Sequence, residues 1–289
     1  MFKTRYVVIL SGILILLAAC AAPQPTMPPA STEAPIPTAT EAPTTEELKL
    51  ILPTYPDNSQ LFYIDLIEKS LTAAGIPYTL EFEKDLPQLR AVEMLDQGQL
   101  SLMWLVASAE RDMKYTRVNV GLTNGLIGNR ILLIPSGQGA VYDSVQNLED
   151  FRNLEKVGAF GKGWFDVKVW TANGLPYQEI DGEWRVIYDM LAKGDRGLDY
   201  FSRGFTEIVG EAAEHPTLEI EKHLVLIYNR DFYFYLSSSA AQYKDTLEAA
   251  LLKAQTDGLI DELVQKYWAD SFTKLNMDAR IQIELETPE

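Results

Sequence analysis

The chain has 289 residues, 47% of them hydrophobic, with 25 Lys and Arg against 41 Asp and Glu, a formal net charge of −16. Acidity of that degree repels nucleic acid and anionic lipid surfaces, which excludes a nucleic-acid partner. A single cysteine, Cys20, excludes a disulfide framework and any cysteine-based metal site, so an apolar core must carry stability alone. A chain of this length buries enough surface to do so.

Lys3 and Arg5 open the chain, and residues 6–17 are almost wholly apolar. That run is short of the about 20 residues a membrane-spanning helix needs, and it fits the apolar region of a secretory signal. Leu17-Ala18-Ala19-Cys20 follows directly. The stretch resembles the lipobox of bacterial lipoproteins. The resemblance implies a lipoprotein signal peptide over 1–20, with Cys20 diacylated as the mature N-terminus. Two acyl chains anchor stably where one is marginal. Residues 21–46 are rich in Pro, Thr, Ala and Glu, with seven of the fifteen prolines in 21–45. Few side chains there can offset the entropy of ordering, so the segment reads as a disordered linker. Lys3 and Arg5 cancel Glu33 and Glu41, leaving the whole net charge on the remainder.

Beyond residue 46, short apolar runs alternate with helical periodicity, the signature of an α/β fold. Strands are expected at 48–52, 78–82, 100–105, 131–134, 157–160, 198–201, 218–220, 224–228 and 232–236. Helices are expected at 59–74, 87–97, 148–154, 164–172, 184–192, 205–213, 240–255 and 259–267. Ser59 is the expected N-cap of the first helix and Gly75 its stop, with Ile64, Ile67 and Leu71 on one face. Leu89, Val92 and Leu95 face inward on the second. The β-α-β-α-β start feeds a parallel sheet through right-handed crossovers. Two successive α/β units are followed by two further helices, too little for a third unit. The economical solution is a discontinuous lobe 1 (47–133 and 233–275), a continuous lobe 2 (134–232) and a C-terminal tail (276–289).

Several stretches together resemble the family 3 extracellular solute-binding proteins. Residues 89–103 (LRAVEMLDQGQLSLM) are similar to the family's helix-Gly-strand segment, and Ala107-Ser108-Ala109-Glu110-Arg111 to its T-x-E-R motif. Residues 190–201 (MLAKGDRGLDYF) resemble its helix-Gly-x-x-Asp segment, and residues 247–268, with Asp257-Gly258, its closing helix pair. The resemblance implies the type II periplasmic-binding-protein fold. In that fold two lobes, each a mostly parallel sheet flanked by helices, are joined by two crossing hinge strands, here near 131–135 and 230–234. It also implies amino-acid binding, with Arg111 in the place of the arginine that grips the ligand carboxylate. A guanidinium fork suits that role. The family's small hydroxyl residues just before this arginine are replaced by Trp104 and Val106. Its acid after the Gly-x-x-Asp strand is replaced by Ser202-Arg203-Gly204. Arg203 in place of an acid favours a ligand with a second anionic group; a solvated arginine is the alternative.

Gly161-Lys162-Gly163 precedes a helix, where bare amides attract anions and a glycine admits a close ligand. A plain strand-to-helix turn is the other reading. Tyr55 and Trp164 stand at a strand end and a helix start, where open α/β sheets bind ligands, although core packing is the more common fate of such residues; Trp104 suits core and cleft equally. The candidate ligand-binding residues are therefore Arg111, Tyr55, Trp104, Lys162, Gly163, Trp164 and Arg203. His215 and His223 sit in no catalytic or metal spacing, so neither an enzyme, a cofactor nor a metal is expected. The expected function is capture of a small polar, anionic or amino-acid-like solute by a monomeric, extracytoplasmic lipoprotein on a bacterial membrane, serving the permease of an ABC importer. A ligand-sensing or interaction module of the same fold, read by a signalling partner, is the alternative.

Overall fold

The computed structural model describes residues 47–289; the expected signal peptide, Cys20 and the 21–46 linker lie outside the described residues. The first elements are β1 (Leu48–Pro53), α1 (Leu61–Ala73), β2 (Tyr78–Glu83), α2 (Gln88–Asp96) and β3 (Leu102–Val106). Helix α1 forms because its apolar residues recur on one face: Phe62, Tyr63, Leu66, Ile67 and Leu71 are buried. Gly75, at φ +68°, lets the chain turn out of it. Ser59 is not its cap. Gln60 holds that position and spends its side chain inward, accepting a hydrogen bond from the Tyr55 amide at 3.0 Å. On α2, Leu89 is 45% exposed, against expectation; Ala91, Met94 and Leu95 turn inward instead.

The chain then forms α3 (Ala109–Lys114) and β4 (Thr116–Arg117), and enters β5 (Asn129–Pro135). The next elements are α4 (Leu148–Asn153), β6 (Gly158–Gly161), α5 (Phe165–Ala172), β7 (Tyr177–Ile180) and α6 (Val186–Lys193). They are followed by β8 (Tyr200–Gly204), α7 (Ile208–Glu214), β9 (Leu218–Ile220) and β10 (Leu224–Ile227). β11 (Phe232–Leu236), α8 (Lys244–Thr256), α9 (Leu259–Lys274) and β12 (Ile281–Glu284) complete the fold.

Two lobes result. In the first, β11 lies between β3 and β4 and runs antiparallel to both, and β1 pairs parallel with β2. Ser101 joins the two sets: its amide donates to Ile51 O at 2.8 Å, and its hydroxyl accepts from the Ile51 amide at 2.9 Å. In the second, the strand order is β12-β10-β5-β8-β6-β7, with β9 beside β5. Neither lobe is mostly parallel: β11 runs against both of its neighbours in the first, and β5 runs against β8, β9 and β10 in the second. Strand β5 is apolar from Ile131 to Ile134 because both of its faces are covered there. Leu132 and Ile134 enter one core and Ile131 and Leu133 the other.

The first crossing differs from the expected hinge strand: residues 131–135 are deep in the second sheet, and the chain crosses between β4 and β5 instead. The second is the turn from β10 to β11, which overlaps the expected 230–234. Asp231 ties them together. Its carboxylate accepts hydrogen bonds from the amides of Thr123 and Gly125 and from its neighbour Phe232. Gly128 is required where they touch, since a Cβ there would lie 2.2 Å from the Tyr228 carbonyl oxygen. Residues 276–289 are no loose tail. Ile281 to Glu284 pair in parallel with β10, and Arg280, buried beside Glu221, donates to the carbonyls of Leu275 and Leu224 at 2.7 Å. Helix α9 runs past the expected end, bends at Trp268, and carries Leu275 into the second lobe's core.

Candidate functional site

A cleft of about 560 Å³ opens between the lobes, within the size range of small-molecule sites. The first lobe supplies an aromatic wall. The indole of Trp104, in the middle of β3, stacks on Tyr63 of α1 at 4.4 Å and 12°, and Tyr55 meets it edge-on at 5.8 Å. Tyr55 and Trp104 therefore line the cleft and also pack as core, each 8% exposed.

Arg111 emerges just beyond this wall. Ser108 caps α3 by accepting the Arg111 amide, which fixes the helix start and sends the arginine side chain back toward β3. One guanidinium nitrogen donates to the Val106 carbonyl. Among the described residues no carboxylate pairs with Arg111; Glu110 beside it is bound to Lys168 at 3.0 Å. Burial pulls the Arg111 guanidinium below its ordinary value, and Tyr235 and Glu110 only partly oppose that. A desolvated cation with free donors on a cleft wall is an anion receptor.

The second lobe supplies charge in excess. Arg130, on β5, pairs with Asp166 of α5 at 2.9 Å and lies 3.6 Å from Glu207, while donating to the Ser202 carbonyl at 2.8 Å. Arg203, on β8, makes a two-pronged bond to Glu211 of α7 at 2.7 and 2.5 Å, and reaches Glu207 at 3.1 Å. Burial pulls the Arg203 guanidinium down, but Glu207 and Glu211 push it up by more, and it ends well above its ordinary value. Burial likewise pushes the Glu211 carboxyl up, against the pull of Arg203. Arg130 and Arg203 thus face Asp166, Glu207 and Glu211, leaving one carboxylate in excess. Glu207 is the least enclosed of the three, its side chain 27% exposed. The expectation that Arg203 would stand free for a ligand anion is overturned, because Glu207 at the N-cap of the following helix and Glu211 one turn into it neutralise it.

Lys162 and Gly163 do not reach the cleft. Lys162 pairs with Asp181 at 2.7 Å on the exposed surface, and the Gly163 amide donates to Glu179 at 3.2 Å. The Lys162 and Trp164 amides are taken by the carbonyls of Ile180 and Gly161. No bare anion-binding turn exists there, because neighbouring strand and turn groups already use its donors. The glycine that matters is Gly161: a Cβ on it would stand 2.5 Å from the Trp164 indole nitrogen, which folds back over it. Trp164 does line the cleft, and its Nε1 donates across it to Gln88 at 3.0 Å.

Two more contacts cross the opening. Asp57 bonds Arg185, and Glu110 bonds Lys168. Burial pushes the Asp57 carboxyl up, but Arg185 and Ser59 pull it down by more, to below its ordinary value. Sequence reading missed Tyr63, Asp57, Arg130, Asp166, Trp184, Arg185, Glu207 and Glu211. Arg130 alone carried a signal, as a charge opening the apolar run Ile131-Leu132-Leu133-Ile134. Among the described residues no group of three or more His, Cys, Asp or Glu is placed to hold a metal ion.

No protein-family model matches the chain, and no curated protein matches it. Solved structures do. A putative binding component of an ABC transporter from Wolinella succinogenes, complexed with lysine, is 16% identical over 78% of this chain and 96% of its own, with a TM-score of 0.57. An ancestral arginine-binding protein bound to arginine is 15% identical, covering 76% and 98%, also at 0.57. An amino acid ABC transporter substrate-binding protein from Streptococcus pneumoniae, bound to L-arginine, is 17% identical, covering 77% and 95%, at 0.56. The likeness establishes the fold: a two-lobed α/β architecture of the type II periplasmic-binding-protein class, with the cleft between its lobes.

Proposed function

We propose that the chain captures a zwitterionic, amino-acid-like solute between its lobes. The observation that carries this reading is the opposition of charge across one cleft. Arg111 offers unpaired donors on the first lobe, and Glu207 belongs to a cluster with one carboxylate in excess on the second. A carboxylate on the solute would take Arg111, and an ammonium group would complete the deficit at Glu207. Three contacts of Glu207 are filled, by Arg130, Arg203 and the Gly204 amide, and a carboxylate has about four acceptor positions. The amino-acid-like solute is favoured over a dianion because Arg203 is already neutralised. Closure would turn on the crossings that Asp231 ties together, biased by the solute's preference for the closed form.

The same reading makes the chain an extracytoplasmic receptor, held to a bacterial membrane through Cys20 and delivering its solute to the permease of an ABC importer. The solved structures of the same fold include binding components of such transporters. Among the described residues no helix is long and apolar enough to cross a membrane.

Thermal unfolding against L-amino acids, their des-amino acids, their methyl esters, dicarboxylates and phosphate tests the reading. A solute that binds only the folded state raises the melting temperature by mass action. One or more amino acids should do so, while the des-amino and ester analogues should not. Arg111→Ala should sharply reduce the shift at a given solute concentration, and Glu207→Gln should weaken it. A shift with dicarboxylates alone, or an amino-acid shift of unchanged size in Arg111→Ala, would sink the proposal.

A further inference from the structure

Arg203 is 4% exposed, yet among the described residues its guanidinium makes no hydrogen bond to a main-chain carbonyl. Arg130 differs: it donates to the carbonyl of Ser202 and is bound into the backbone between β5 and β8. The hydrogen-bond, ion-pair and ring partners of the Arg203 guanidinium are side chains of a particular kind. The Glu211 carboxylate meets two of its nitrogens in the planar fork at 2.7 and 2.5 Å, with Glu207 at 3.1 Å. The rings of Trp164, Trp184 and Phe201 lie 5.0, 4.8 and 4.9 Å from its central carbon. A forked carboxylate inside a set of aromatic faces is how a protein recognises a guanidinium ion. Here the ion is the chain's own, and Arg203, Glu207, Glu211, Trp164 and Trp184 all line the cleft.

We infer that Arg203 is a tethered occupant of a guanidinium-binding subsite at the second-lobe side of the cleft, and that it determines specificity. While its side chain fills the subsite, a cationic side chain on a solute finds neither a free carboxylate fork nor a free aromatic face there. The solute's distal end is therefore uncharged. Only this consequence rests on the amino-acid reading; the subsite itself does not.

The test empties the subsite. Arg203→Ala in the full chain leaves a void lined by acid and aromatic groups, open to a small cation of the right shape. Methylguanidinium chloride at millimolar concentration is the probe, with sodium chloride and tetramethylammonium chloride at equal ionic strength as controls. Methylguanidinium should raise the melting temperature of R203A by about 2–4 °C while leaving the wild type unmoved. R203A/E211Q, which lacks the fork, should lose the response. Should R203A be unfolded in sodium chloride, methylguanidinium must restore a cooperative melt. R203A should also gain a thermal shift with L-arginine that the wild type lacks. An R203A that responds to methylguanidinium no more than the wild type, or no more than to tetramethylammonium, overturns the proposal, as does failure to restore a melt. This response does not pass through Arg111 and should persist in R203A/R111A. The subsite and the capture reading therefore fail independently.

Discussion

The wall that the first lobe turns to the cleft is aromatic and holds Arg111, which no carboxylate pairs among the described residues. The wall of the second lobe holds Arg130 and Arg203 in contact with Asp166, Glu207 and Glu211. In the first lobe burial of apolar rings does the stabilising, and the Arg111 charge is not spent on an internal carboxylate. In the second lobe most of the charges are spent on each other. Pairing such groups inside a protein roughly offsets their desolvation, but removing one partner strands the other at full cost. A charged residue lining a cleft is thus informative about ligands only after its internal partners are subtracted.

That contrast ranks the consequences of mutation. Arg130→Met should cost the most, about 3–5 kcal/mol, by stranding buried Asp166. Adding Asp166→Leu should restore much of the loss; a double variant no more stable than the single one in urea unfolding would show that the network is not the reason. Trp104→Ala should cost about 3 kcal/mol through lost packing against Tyr63 and Tyr55, the low end for such a truncation because the void opens into the cleft.

Arg111→Ala should change stability by under about 1 kcal/mol, since only its bond to Val106 is lost. The same variant should weaken solute binding about 10–100-fold in calorimetry, the worth of a charge-assisted hydrogen bond. A large stability loss in this variant would make Arg111 a strut rather than a receptor. Lys168→Gln, breaking the exposed bridge to Glu110 across the cleft, should stay within about 0.5 kcal/mol.

The smallest effect is in pH. Asp57 has a folded-state value below its ordinary 3.8, so its bond to Arg185 contributes fully above that pH. The contribution is lost as pH falls through the lower folded value. Asp57→Asn should flatten that part of the acid limb of the stability profile. An unchanged limb would remove Asp57 from the account.

Much of the fold was legible because its signals are local. The alternation of apolar runs with helical periods placed β1 to β3 within a residue or two, and the apolar run at 131–134 placed the centre of β5. Elements without local support were lost. Strand β12 is four residues long and has no reason to form until β10 offers it a partner, so a tail was expected there. The candidate site was less legible. Arg111, Tyr55, Trp104, Trp164 and Arg203 do converge on one cleft, since strand ends and helix starts lie on the open edge of an α/β sheet. Lys162 and Gly163 do not, because whether a turn's amides are free depends on what the next strand brings to them. Asp166 and Arg130 are far apart in sequence and meet only through β5 and α5.

Composition, periodicity and motif order by themselves determined an acidic, disulfide-free α/β chain whose elements run in the order of a two-lobed binding fold. Those properties follow from backbone preferences and apolar spacing, each read over a few residues. Only the tertiary structure decided which charges are spent and which remain. Ion pairing depends on the distance between side chains brought together by different elements, and burial multiplies the difference between a paired and an unpaired charge. Arg111 and Arg203 look alike in the sequence; among the described residues the first has no carboxylate partner, and the second is paired because Glu207 and Glu211, at the start of α7, stand beside it.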